Sequence, residues 1–388
     1  MSRQPALCWR QGHRMRLLEN GEDYFARIYQ VIAAAQDEIL LETFILFEDV
    51  VGLQLKQHLI DAAQRGVRVH LLVDAFGSRA LSAQYVRDLA EAGVQLRLFD
   101  PEPTPLRRRI NMFRRLHRKL LVVDQAIAFV GGINYSADQL AGSGPQGKQD
   151  YAIELQGPVV RDIAAFMQQA ARGSGTGEGW TPDPSSPASI AAESGEVCFV
   201  ARDNGSRSRS IEQAYRQAFA DARQEIIIAN AYFFPGYGLL RDLCAAARRG
   251  VQVRLIVQGQ PDTPLALLAA RLLYRQLLAA GVQVFEYCER PFHGKVAVID
   301  GHWSTVGSSN LDPLSLALNL EANVLVRDHA FAEVLRERLQ RLMTRHCQRV
   351  EPVHVPRSRF WDLLIRPVLF HVMRHFPRWA RHLRGQFA

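Results

Sequence analysis

Lysine is nearly missing from this chain. Of its 47 lysine and arginine residues, only Lys56, Lys119, Lys148 and Lys295 are lysine. Cysteine is scarce as well. The five cysteines (Cys8, Cys198, Cys244, Cys288 and Cys347) are odd in number and scattered, with no CxxC pair and no Cys/His zinc spacing. That argues against a disulfide framework and leaves reduced thiols in a reducing compartment as the expectation. No 18 apolar residues follow one another without interruption, so no segment is expected to span a bilayer as a helix. The opening residues, MSRQPALCWRQGHRMRLLENG, lack the apolar core of a secretory signal, and none is expected.

What is present reads as a globular chain. Its 388 residues are 48% hydrophobic and 22% charged, enough for two domains or one large one with a substantial core. The net charge of +8 calls for an anionic partner, either nucleic acid or an acidic membrane surface.

The chain also repeats itself. AQDEILLETFILF (35–47) matches ARQEIIIANAYFF (222–234), AAQRGVRVHLLVDAFG (62–77) matches AAARRGVQVRLIVQGQ (245–260), and LAEAGVQLRLFDPEP (89–103) matches LLAAGVQVFEYCERP (277–291). Each unit reads as strand, helix, strand, helix, strand, then a further pair of strands. The second unit's strands fall near Glu225–Asn230, 251–257 and 282–287. Gly66, Gly93, Gly250 and Gly281 follow Ala/Arg-rich helical stretches as C-terminal caps. Alternating helices and strands predict two similar layered α/β units with mixed β-sheets. The expected boundaries are 1–170 for the first unit, 171–195 for a mobile Gly/Ser/Pro-rich linker, 196–350 for the second unit and 351–388 for a basic, aromatic tail.

A fourth pair of matching stretches carries the chemistry. RRLHRKLLVVDQAIAFVGGIN and FHGKVAVIDGHWSTVGSSN both fit His-x-Lys-x4-Asp, then six residues, then Gly-[Gly/Ser]-x-Asn. Half of all the lysines therefore sit in this motif. A shuffled chain of this composition would hold about 0.006 His/Lys/Asp matches of that spacing, so two in register exclude accident. The candidate catalytic set is His117, Lys119, Asp124, His293, Lys295 and Asp300, with Asn134 and Asn310 as phosphate-binding support. His and Lys two apart on a strand share a face, whereas the aspartates lie an odd seven residues from the histidines. Within the motif the aspartates therefore read as structural, tying the following turn.

Two His-Lys pairs facing one another suit displacement at phosphorus. One imidazole attacks and the other protonates the leaving oxygen, with an unperturbed pKa of about 6.5 that allows both tasks. Lysines and asparagines hold the non-bridging oxygens. No metal or other cofactor is expected.

The paired motif resembles that of the phospholipase D superfamily, across roughly residues 14 to 350. LLENGEDYF, LETFILFEDVVG, FRRLHRKLLVVD, GGINYS, KQDYAIELQGPVV, NAYFFPGY and VGSSNLDPLSLALNLEANV resemble the bacterial cardiolipin synthases, the B-type in particular. The resemblance implies an active site at a pseudo-two-fold interface between the units. It implies a phosphatidyltransferase that joins two phosphatidylglycerol molecules into cardiolipin and glycerol through a phosphohistidine. It also points to Glu154 and Glu321 as acids that accept a hydrogen bond from the catalytic imidazoles. One departure stands out: Gly132 occupies the place that Ser308 has in the second copy.

His117 is expected to attack and His293 to act as acid. Family members often use the first motif for attack, and Arg107, Arg108, Arg109, Arg114, Arg115 and Arg118 crowd around His117 in sequence. LRRRINMFRR (106–115) suits anion capture at the site mouth. The tail SRFWDLLIRPVLFHVMRHFPRWARHLRGQFA (358–388) suits the headgroup plane of an acidic bilayer. The expected partners are phosphatidylglycerol, other phospholipids and an acidic membrane surface, not nucleic acid. The expected location is peripheral, on the cytoplasmic face of a bacterial membrane. The rival readings are a phospholipase D-type hydrolase or nuclease with the same machinery, and a non-enzymatic membrane scaffold that keeps the motif as a phosphate clamp.

Overall fold

The central strands of both repeats are apolar on both faces, which requires cover on both sides. A computed structural model of the chain describes residues 7–99, 114–140, 142, 147–173, 175–178, 180–182, 195–260 and 264–351. Most of the arginine run (106–113) and the tail from 352 lie outside these residues.

The first half comprises β1 (Arg14–Glu19), α1 (Asn20–Ala33), β2 (Glu38–Thr43), α2 (Val50–Gln64), β3 (Arg68–Asp74), α3 (Ala83–Glu91), β4 (Gln95–Phe99), β5 (Leu120–Val123), β6 (Ile127–Gly131), β7 (Tyr151–Gln156) and α4 (Val159–Arg172). The second half repeats them as β8 (Glu196–Arg202), α5 (Ser210–Asp221), β9 (Glu225–Asn230), α6 (Tyr237–Arg248), β10 (Gln252–Gln258), α7 (Pro264–Ala279), β11 (Gln283–Tyr287), β12 (Lys295–Ile299), β13 (Trp303–Gly307), α8 (Pro313–Ala317), β14 (Glu321–Arg327) and α9 (His329–His346). It adds an edge strand, β15 (Cys347–Arg349).

The sheet orders are β1-β7-β6-β5-β2-β3-β4 and β15-β11-β10-β9-β12-β13-β14-β8. In each, three strands joined through helices run parallel, and the rest are antiparallel. This is the mixed-sheet, layered α/β architecture expected. The sequence reading did not count β1 with α1, β8 with α5, the strands β7 and β14, the short α8, the edge strand β15, or the closing helices α4 and α9. β1 (RMRLLE) is a short edge strand whose side chains are mostly solvent-facing or half-buried, so its pattern is weak.

Period-two alternation divides each central strand between two layers. On β9, Ile226 and Ile228 pack outward with α5 and α6, while Ile227 and Ala229 face the other half. On β2, Ile39 and Leu41 face outward and Leu40 inward. The inner layer joins both sheets with α4 and α9 in one continuous core.

The described part of the 171–195 stretch does not behave as a mobile tether. α4 runs through Arg172, and Trp180 is 7% exposed, packed edge-on against Phe166 and Phe199. Gly175 and Thr176 offer their carbonyls to Arg118 at 2.7 and 3.2 Å. The chain also crosses over at its start: Arg10 bridges Val197 of β8 and forms a two-pronged pair with Asp162 of α4.

The motif aspartates sit at the far end of β5 and β12 from the histidines, so they take no part in the site chemistry. Asp124 and Gln125 (φ 53° and 51°), like Asp300 and Gly301 (φ 51° and 59°), form tight turns with two consecutive left-handed residues. The Asp124 carboxylate accepts the backbone N–H groups of Gln36, Asp37 and Glu38 at 2.8–2.9 Å. Asp300 accepts those of Arg223, Gln224 and Glu225 at 2.8–2.9 Å. Each aspartate therefore ties its hairpin to the turn that enters the neighbouring strand, β2 or β9, and not only to the turn that follows. Asp300→Ala should cost about 2 kcal/mol by stranding three donors, read as a lower urea midpoint at unchanged slope. An unchanged midpoint would contradict this role.

Candidate active site

The segments that lead into the two motifs leave their own sheets and pair with the opposite half. Leu116 bridges Leu320 in parallel, and Gln149 bridges Phe292 in the same way. The His117 N–H donates to the Leu320 carbonyl at 2.9 Å, and the Leu320 N–H to that of Arg115 at 2.8 Å. The His293 N–H donates to the Gln149 carbonyl at 2.8 Å, and the Gln149 N–H to that of Pro291 at 2.9 Å.

The next residue after each bridge is an acid. His117 Nδ1 lies 3.0 Å from Glu321 Oε2, and His293 Nδ1 lies 2.6 Å from Asp150 Oδ2. Each imidazole is thus oriented by a carboxylate from the other half, and the two contacts are reciprocal, as a pseudo-two-fold axis requires. His117 and His293 are 9% and 8% exposed, and the carboxylates are fully buried. With Nδ1 engaged, Nε2 of each ring remains for chemistry.

The lysines follow on the same strand faces, both fully buried. Lys119 Nζ donates to the His117 carbonyl at 2.8 Å and lies 5.3 Å from the centre of the Phe44 ring. Lys295 Nζ donates to the His293 carbonyl. Between His117 and Lys119 in sequence, Arg118 turns the other way. It is fully buried, donates to Glu42 at 2.7 Å and lies against Phe166. Its counterpart is Gly294, where a Cβ would meet the Phe292 ring at 2.7 Å and the Tyr151 ring at 3.0 Å. Asn134 Oδ1 accepts the Ile45 N–H at 3.2 Å, whereas the buried Asn310 Oδ1 has no hydrogen-bond partner among the described residues.

Comparison with known proteins agrees with this geometry. The family described as cardiolipin synthase, phospholipase D-like domain, matches residues 28–170 and 215–343. The chain is 49% identical over 370 residues to cardiolipin synthase B of Escherichia coli K12, covering 95% of this chain and 90% of that protein. The chain belongs to the cardiolipin synthase, phospholipase D-like family. Cardiolipin synthase of Geobacillus kaustophilus is 36% identical over 314 residues, covering 80% of this chain and 62% of that protein. Among solved structures, phosphatidylserine synthase of Haemophilus influenzae superposes with a TM-score of 0.69 over 95% of this chain and 94% of that one. At 13% identity it speaks for the fold alone.

Within this phospholipase D-like frame, one expected site residue is misplaced. Glu154 does not reach an imidazole. It lies on β7, four residues or about 13 Å of strand beyond Asp150, and forms a two-pronged pair with Arg27 of α1 at 2.7 and 2.9 Å. Asp150 takes the place expected for it. The sheet register makes the equivalence plain: Gly131 pairs with Ala152 and Gly307 with Asn323, so Asp150 corresponds to Glu321. Both acids stand at the start of the strand after Gly-x-x-Asn, a signal available in KQDYAIELQG. Distance from the histidine misleads because the two loops differ in length.

The same register explains Gly132. A Cβ there would sit 2.3 Å from Asp150 Oδ1, so the shorter acid occupies the space of a side chain. In the second half, Ser308 Oγ instead donates to the longer Glu321 at 2.6 Å.

Electrostatics separate the halves further. Burial pushes Asp150 up to about 6. Burial acts the same way on Glu321, but the His117 ring, Lys119 and the Ser308 hydroxyl outweigh it and hold this carboxyl below its usual range. Burial lowers both imidazoles. Glu321 opposes the shift at His117, while Lys295, Lys148 and Lys119 deepen it at His293. The arginine crowding expected at His117 is not found among the described residues. Arg114 and Arg115 lie against the Phe99 and Phe76 rings, and Arg118 faces Glu42. Burial also lowers Lys119 to about 7, so an anionic ligand would be met by an ammonium that gains from its charge.

Asp150→Asn should change the tautomer of His293 seen by nitrogen NMR, whereas Glu154→Gln should leave both catalytic rings unaltered. The reverse pattern would restore Glu154 to the site.

Proposed function

We propose that this chain is a phosphatidyltransferase of the cardiolipin synthase type, acting on phosphatidylglycerol. The observation that carries the reading is the pair of crosswise His–acid contacts around two buried lysines, in a chain 49% identical to a cardiolipin synthase B.

His117 Nε2 attacks the phosphorus of one phosphatidylglycerol. The bond to the headgroup glycerol breaks, and the proton on His293 passes to the departing oxygen, releasing glycerol. The phosphatidyl group now rests on His117, whose ring carries positive charge. Glu321, ionised and buried, is the better placed of the two acids to support that charge, which is why His117 is assigned the attack. A second phosphatidylglycerol then gives its headgroup proton to His293 and attacks the phosphorus. The P–N bond breaks, and cardiolipin leaves.

Lys119, Lys295 and the Asn134 and Asn310 amides are assigned to the non-bridging oxygens. Burial and the nearby lysines hold His293 neutral in the free site; an anionic phosphate between the lysines offsets their charge, so we assign proton uptake by His293 to substrate binding. Water in place of the second lipid would give phosphatidic acid, so exclusion of water decides between transferase and hydrolase. Among the described residues no helix is long and apolar enough to cross a membrane. We place the protein peripherally, on the cytoplasmic face of a bacterial membrane.

Incubation with phosphatidylglycerol vesicles should give cardiolipin and glycerol on a lipid chromatogram. Phosphatidic acid alone would make the chain a hydrolase, and no product would make it a phosphate clamp. His117→Ala and His293→Ala should each cost at least about 10²–10⁴-fold in kcat. The plot of kcat/KM against pH should be bell-shaped. Below 6.5 the profile depends on both depressed imidazoles, since the step needs His117 neutral and His293 protonated, and its alkaline limb falls further near 7, where Lys119 loses a proton. Bound phosphate raises the lysine, so the alkaline limb of kcat should lie higher. Coincident alkaline limbs would remove Lys119 from phosphate binding.

A further inference from the structure

Single exposed apolar side chains need no explanation, but their placement here does. Nine large hydrophobic residues are exposed among the described residues. Six of them (Phe47, Val50, Leu53, Phe76, Tyr237 and Leu314) belong to segments that border the site.

The segment after β2 carries Phe44, whose ring lies 5.1 Å from that of His117, then Phe47, Val50 and Leu53. The loop after β3 carries Phe76, and Asp74 at its root accepts the Leu116 N–H beside His117 at 2.8 Å. The loop after β9 pairs Phe233 with Leu311, next to Asn310, and leads to Tyr237. Leu314 follows three residues after Leu311.

The repeat relates two of these positions. Leu46 pairs with Tyr135 as Phe233 pairs with Leu311, so Val50 and Tyr237 are equivalent, each the first residue of its helix. They are 54% and 49% exposed. Residues related by a two-fold axis through the site lie at equal height on opposite sides of it, so both can touch one plane at once.

The charges on this face suit an anionic plane. Arg79 and Arg115 lie 5.4 and 4.3 Å from the centre of the exposed Phe76 ring. The first turns of α2, α6 and α8 contain no acid. Of the nearby acids, Asp49 and Asp312 cap α2 and α8, and the exposed Glu48 accepts the Ser82 N–H at 3.0 Å.

We propose that this face, with Val50 and Tyr237 flanking the mouth and Phe76 set between two arginines, docks on an anionic lipid bilayer. The docking presents the His–Lys site to the headgroups. It rests on the reading of the substrate as a phospholipid. Apolar tips enter the boundary between headgroups and acyl chains, and guanidinium groups meet the phosphates. A bound lipid then needs to rise only part of the way from the bilayer to reach His117.

The test uses the full chain with Val50→Glu, Tyr237→Glu and the double variant. Sedimentation with phosphatidylglycerol vesicles should show binding weakened by about tenfold per substitution. Turnover of a monomeric short-chain phosphatidylglycerol should be unchanged. Val50→Trp and Tyr237→Trp, which keep an apolar tip, should bind normally, and their fluorescence should shift to the blue on vesicles beyond any shift of the parent's own five tryptophans. Unchanged binding of the double variant, no blue shift, or equal loss on monomeric substrate would each overturn the docking face. If the parent protein turns over neither form of the lipid, the functional reading fails. Vesicle binding and fluorescence still decide the surface.

Discussion

Everything in the site depends on one constraint: the imidazole of each motif is held by a carboxylate from the opposite half. The bridges Leu116–Leu320 and Gln149–Phe292 fix the register, and the next residues along are His117 with Glu321 and His293 with Asp150. Neither half contains a complete site. A small slip at either bridge would separate ring from acid, because hydrogen bonding fails within a few tenths of an ångström. The shared inner core, with α4 and α9 between the sheets, is the packing that resists such a slip.

Duplication supplies two equal half-sites, but the chemistry needs unequal ones. Gly132 with Asp150 and Ser308 with Glu321 are alternative fillings of one space, and they leave carboxylates of different character. One is pushed up to about 6 by burial, and the other is kept ionised. Arg118 and Gly294 differ in the same way, since one anchors the strand to the chain between the halves while the other makes room for the Tyr151 ring. The proposed nucleophile and acid thus differ, among similar parts, through their surroundings.

Much of this was legible in the sequence. Two copies of His-x-Lys-x4-Asp with strand-like runs gave the repeat, the α/β class and the shared faces of His and Lys, because strand alternation is a local property. Glu154 shows where local reading stops. It and Asp150 are two acids in one strand-forming stretch, and only the inter-strand register tells which meets the ring. The described arginines beside His117 show the same limit: neighbours in sequence, Arg114, Arg115 and Arg118 turn toward Phe99, Phe76 and Glu42. Lys148 is the converse. It lies far from His293 in sequence, yet its charge is felt there, so three of the four lysines act on one site.

The central claim is that this crosswise site transfers a phosphatidyl group through His117. The most direct measurement traps the intermediate with a slow substrate, quenches it in alkali and maps the modified peptide by mass spectrometry. The account predicts phosphorylated His117 and an unmodified His293. Modification of His293 alone would reverse the assignment of roles, and no covalent adduct on either histidine would contradict the two-step mechanism itself.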